Sequence, residues 1–146
     1  MKRFFRLVPT GVTSLIVVLV IAYLSLSSDP LGASHVHLFP GSDKVAHFLM
    51  YAVASMAFII DYAKFRLPHH TRLNVEMAVT ACAMLLGLLM EVSQLALSQS
   101  RHYDNYDILF NCLGALAGFL FMRYGGGMHR FRRMMLSHRH HHHRHG

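Results

Sequence analysis

Four apolar runs separated by short polar segments organise the chain of 146 residues. Read as helices, they cover about 8–26, 44–62, 75–97 and 107–124. Runs near 20 apolar residues match the roughly 30 Å hydrocarbon core of a bilayer at 1.5 Å per residue. Helix-breaking residues stand between them: Asp29-Pro30, Pro40-Gly41, Pro68 and Gly125-Gly126-Gly127. The connections are too short to hold a soluble domain. The pattern predicts an all-α polytopic membrane protein, four transmembrane helices in a compact bundle over residues 1–127. A basic, His-rich cytoplasmic tail over 128–146 is expected to be disordered.

Composition agrees. The chain is 53% hydrophobic and only 14% charged, where a soluble domain carries about 25% charged residues. Two cysteines make no disulfide scaffold, and Cys82 and Cys112 fall at different depths, so a bridge between them is not expected. The net charge of +7 is accounted for by topology. Of the 14 Lys and Arg, only Lys44 and Arg101 lie in outer segments if the amino terminus is cytoplasmic. Both termini are therefore expected in the cytoplasm, with the protein multi-pass in the cell inner (plasma) membrane. An alternative for the first run is a cleaved signal peptide, with Lys2-Arg3 in front and Leu31-Gly32-Ala33 behind. Arg130, Arg132 and Arg133 could touch anionic lipid, but a short basic tail offers no nucleic-acid surface.

Polar residues inside spans cost roughly 2.5 to 3.5 kcal/mol each when charged, and so mark function or a satisfied pair. Here they gather by depth. Asp43, Lys44, His47 and Tyr51 open the second run, with Asp43, His47 and Tyr51 on one helical face. Glu91 and Gln94 share a face near the end of the third. The following loop holds Arg101 and Asp104, and the fourth run opens with Asp107 and Asn111. Topology places these ten residues in the outer third of the membrane as a candidate ligand-binding layer. The inner half shows only Asp61 and Glu76, near the boundary. A simpler reading competes: Asp104 could cap a helix, Arg101 could pair with an acid, and polar side chains glue membrane helices at about 0.6 kcal/mol per contact.

Gly114 and Gly118 form a GxxxG step on the face that continues from Asp107 and Asn111, so the fourth helix is expected to pack centrally with Asn111 pointing into the bundle. No metal or cofactor is expected in the spans. The tract His140, His141, His142 and His143 could bind a metal ion, and its interruption by Arg139 and Arg144 is unlike a plain purification tag. No phosphate-cradling loop, GxSxG elbow or HExxH helix occurs.

The stretch Asp43-Lys44-Val45-Ala46-His47-Phe48-Leu49-Met50-Tyr51 resembles the DKxxHFxxY signature of the VanZ-like family. Glu91 with Gln94 resembles its second motif. Arg101, Asp104, Asp107, Asn111 and Gly114, followed by Gly118, resemble its third. The resemblance covers about residues 43–118 and implies a small bacterial integral membrane protein of the cell envelope. The family is named for a member associated with resistance to the glycopeptide antibiotic teicoplanin, and the resemblance implies no particular reaction.

Three functions fit these residues. The first is a site that binds or handles an envelope lipid, a lipid-linked precursor or a glycopeptide, with Lys44 and Arg101 for anionic groups and Asp43, Glu91 and Asp107 for hydroxyls or amines. The second is an assembly subunit whose polar layer is helix packing. The third is an enzyme acting on a lipid head group, with Asp43, His47 and Glu91 as acid–base groups; no Ser or Cys nucleophile is evident at that depth. Membrane lipids are the expected partners throughout, and oligomeric state stays open.

Overall fold

A computed structural model describes residues 7–26, 42–97 and 105–137. Among them are five helices: α1 (Val12–Leu26), α2 (Ser42–Arg66), α3 (Leu73–Leu97), α4 (Asn105–Tyr124) and α5 (Gly127–Leu136). No strand occurs in the described residues. The helices α2, α3 and α4 are long and apolar enough to cross a membrane. At 15 residues α1 is shorter, about 22 Å by helical rise. It begins later than residue 8 because Pro9 and Gly11 shape its entry: Gly11 takes φ 95° and the Pro9 carbonyl accepts the Val12 N–H. The four-span count expected from sequence thus rests on a first helix that does not span by itself.

The helices α2 and α4 form the most extensive contact, with α3 against both and α1 lying on α2 and α3. Gly114 and Gly118 explain how close α2 and α4 come. A methyl group on Gly114 would fall on the Phe48 carbonyl, and one on Gly118 on the Ser55 hydroxyl and Ala52 carbonyl. Small residues permit such backbone approach, which replaces the hydrophobic driving force that helices lack in lipid. The expected central placing of the fourth helix is therefore realised.

The interior is small and mixed. Tyr51, Ala54, Ala83, Met90 and Ala115 pack around Ile21 of α1, and Ile59, Phe119 and Met122 form a second cluster. Large apolar side chains point outward instead, among them Leu15, Leu19, Leu85, Leu89, Leu109 and Leu116, the distribution expected of helices solvated by lipid chains.

The tail departs from expectation. Residues 127–136 are helical, where disorder was predicted from 128. The chain turns at Gly126 (φ 83°), Met128 packs on the Ile59–Phe119–Met122 cluster, and Phe131 is buried. The Arg132 guanidinium donates to the carbonyls of His69 (2.8 Å) and Pro68 (2.9 Å), tying α5 to the α2–α3 connection. Apolar residues three apart anchor this helix, a spacing easily overlooked among the arginines. His140, His141, His142 and His143 lie outside the described residues.

Candidate functional site

The start of α2, the end of α3 and the start of α4 meet at one end of the bundle. There the His47 Nδ1–H donates to Asn111 Oδ1 at 2.9 Å and lies 3.8 Å from Glu91 Oε1. Asp107 joins them: His47, Glu91 and Asp107 each present one donor atom, and all three atoms lie within 4.8 Å of one another. Asn111 and Glu91 are buried, while His47 and Asp107 are half-buried. Three helices thus contribute one imidazole, two carboxylates and an amide to one spot.

The backbone reasons are local. His47 and Tyr51 are one turn apart on α2 and both turn inward, as do Asp107, Asn111 and Gly114 along α4. Gly87 on α3 makes room: a Cβ there would sit 3.1 Å from Asn111 Nδ2 and 3.2 Å from the Tyr51 ring. Below the imidazole, Tyr51 is fully buried and its hydroxyl has no hydrogen-bond partner among the described residues. Asn111 Nδ2 is likewise buried without one. A buried polar atom left unmatched costs about 1 to 3 kcal/mol, so packing alone gives a poor account of these two.

The other predicted site residues divide. Lys44 is half-buried at the same end. Gln94 leaves the cluster: its amide donates to the Ser25 carbonyl of α1 at 2.7 Å, so it fastens α1 to α3. Asp43 lies in the first turn of α2, with its side chain outside the described residues, as are Arg101 and Asp104.

Sequence reading also passed over a polar network at the opposite end, where it saw only two boundary acids. Glu76 in the first turn of α3 is buried and receives Arg123 Nη1 of α4 at 2.7 Å together with the Thr71 hydroxyl. Asp61 of α2 accepts the Ser14 backbone N–H (2.8 Å) and hydroxyl (2.6 Å) from α1 and has Lys64 Nζ at 3.9 Å. The signal was present as charges at the ends of apolar runs, but which end pairs with which depends on helix order in space. The clustering of His47, Glu91 and Asp107 as three converging donors was missed in the same way; each was assigned to the layer, and none to a shared point.

A bundle of apolar helices with a buried polar cluster at one end defines a polytopic helical membrane protein. The VanZ/LLP1 family model matches residues 2–126, and the chain belongs to that family. Comparisons with curated proteins and with solved structures found no match.

Proposed function

We propose that this protein binds the head group of an envelope lipid or lipid-linked precursor at the outer leaflet of the bacterial plasma membrane. In this reading α1 belongs to a fourth span, both termini are cytoplasmic, and the His47 end faces outward. The observation that supports it is the convergence of His47, Glu91, Asp107 and Asn111 from three helices, with the Tyr51 hydroxyl and the Asn111 amide nitrogen lacking protein partners among the described residues. Helix glue would match its polar atoms to one another. A binding site holds some in reserve.

The chemistry suits a polyhydroxylated or amine-bearing head group. Carboxylates and the Asn111 carbonyl accept from hydroxyls and ammonium, while Lys44 gives one cation for a phosphate or carboxylate. A lipid-tailed glycopeptide such as teicoplanin would present the same groups on the same kind of anchor. One observation favours a second reading as an enzyme: hydrogen bonding to Asn111 orients the imidazole beside the Glu91 carboxyl, as an acid–base pair would require.

Native mass spectrometry of detergent-extracted protein tests the binding reading, with wild type beside Asp107→Asn. A defined anionic or glycosylated lipid should stay with wild type and be lost from the variant. Equal, unselective lipid on both would overturn it in favour of an assembly role for the layer. Release of a modified head group on incubation with that lipid, abolished in His47→Ala, would establish the enzyme.

A further inference from the structure

The cluster at the His47 end gathers an imidazole and two carboxylates at one point. Glu91 is 6% exposed, and its carboxylate shares a sphere of 4.8 Å with that of Asp107 and the His47 nitrogen. One carboxylate is buried and the other half-buried, and both converge on the same imidazole. The three donors come from three different helices, an arrangement that surrounds a point and does not merely line a surface. The set is one imidazole nitrogen and two carboxylate oxygens, with the Asn111 carbonyl oxygen 2.9 Å from that nitrogen as a fourth. Mixed nitrogen and oxygen donors in this ratio suit Zn²⁺ or Mn²⁺.

A second observation points the same way. Tyr51 has 0% exposure, lies one helical turn below His47, and its hydroxyl is without a partner among the described residues. Its ring and the Asn111 amide both crowd the place where Gly87 lacks a side chain. The base of the cluster is thus polar, buried and incompletely matched by protein.

We propose that His47, Glu91 and Asp107 hold a divalent transition-metal ion, Zn²⁺ or Mn²⁺, with Asn111 Oδ1 as an additional oxygen ligand. Ligand atoms about 2.1 Å from a shared tetrahedral ion lie about 3.4 Å apart, so the carboxylates close inward by about 1 Å through side-chain rotation. The ion takes the place of the proton on His47 Nδ1, and the neutral imidazole carries its proton on Nε2. Bound there, a dication neutralises the two carboxylates and offers a phosphate oxygen of a head group an open ligand position. The inference uses the residues of the lipid site but does not rest on lipid binding.

The test counts metal in the full-length protein, purified without chelator, loaded with Zn²⁺ or Mn²⁺ and exhaustively dialysed, by inductively coupled plasma mass spectrometry. The His-rich terminus is a competing binder, so the count is repeated in the full-length variant with His140, His141, His142 and His143 changed to Asn. The expected result is one equivalent that survives in the tail variant and disappears when Glu91→Gln is added. Asp107→Asn is the parallel variant should Glu91→Gln fail to give monodisperse helical protein. Metal that vanishes with the tail histidines, or survives both carboxylate substitutions, overturns the proposal. Lipid content is read on the same samples with and without EDTA. Selective lipid without metal sinks the metal site alone, and one metal equivalent without selective lipid sinks only the lipid reading.

Discussion

At one end of the bundle Glu76 is gripped by Arg123 and Thr71, and Asp61 by two groups of Ser14. At the other, Glu91 and Asp107 converge on a single imidazole that already donates to Asn111. The two acids of α3, Glu76 and Glu91, stand roughly 22 Å apart along one helix and meet opposite treatment. Glu76 is matched by donors from neighbouring elements, Asp61 takes both Ser14 hydrogen bonds on Oδ2 while its Oδ1 accepts none among the described residues, and the pair fastens α3 to α4 and α1 to α2. The second pair converges with His47 and Asn111 on a shared point. Polar side chains within a membrane either join helices or serve a ligand; the Glu76 end does the first, and the proposed function gives the second to the His47 end.

Both ends depend on the close contact of α2 and α4, so the largest effect should come from spoiling it. Gly118→Val would press two methyls into the Ala52 carbonyl and the Ser55 hydroxyl. The cost should be about 3 kcal/mol, the upper part of the range for overpacking, and Gly114→Val should behave alike. Reversible unfolding in mixed micelles and the amount of protein in membranes would show it, with lipid and metal lost together. A Gly118→Val protein of wild-type stability would mean that the two helices are not held as described.

The matched end should come next. Arg123→Met leaves Glu76 buried with only Thr71 among the described residues to donate to its carboxylate. Breaking a buried pair from one side is strongly destabilising, whereas removing both charges costs far less. The melting temperature should therefore fall markedly in Arg123→Met and recover in part in the double variant with Glu76→Gln. An unchanged melting temperature in the single variant would refute the fastening role. Binding at the other end should persist in whatever fraction stays folded.

How far the sequence discloses this comparison follows from the kind of information each feature needs. Apolar length and Pro-Gly punctuation suffice for α2, α3 and α4, since a helix satisfies its backbone within itself. The inward turn of Asn111 was legible because Gly114 lies on the same face and small residues mark contact. Depth along a helix was legible too, so His47, Glu91 and Asp107 could be placed in one layer. Partnership across helices was not. Glu76 and Arg123 are 47 residues apart, and Gln94, on a shared face with Glu91, reaches α1 instead. The rotation of each helix about its axis decides such outcomes, and the weakly one-sided apolar pattern of membrane helices records it poorly. Gly11 and Phe131 are further cases: one shortens α1 and the other anchors α5, each through a single residue inside a segment read as a whole.

A milder change at the matched end should be Ser14→Ala. It removes the hydroxyl donated to Asp61 at 2.6 Å and keeps the backbone N–H at 2.8 Å. A hydrogen bond to a charged group contributes about 1.5 kcal/mol or somewhat more, and its loss should show as an equal loss in unfolding free energy. Because α1 is held on α2 partly through this bond, hydrogen exchange in 12–26 should quicken more than in α3 or α4. Equal quickening throughout would indicate that α1 unfolds only with the whole bundle.

The smallest effect on stability is expected where the polar groups are most conspicuous. Glu91→Gln combined with Asp107→Asn keeps the shape of both side chains and removes two carboxylates that lie within 4.8 Å of each other. If those acids were fasteners, the double variant should lose as much as Arg123→Met does. If they are kept for a ligand, stability measured in chelator should stay within about 0.5 kcal/mol of wild type or exceed it, as is usual when a functional site is relaxed. The same variant should lose selective lipid and metal. The two results are decisive together, since a site that costs nothing to dismantle and yet carries the ligand contributes binding and not cohesion. A loss above about 2 kcal/mol, well beyond the usual range for a residue without a packing role, would erase the difference between the two ends and leave the polar groups at the His47 end as helix glue.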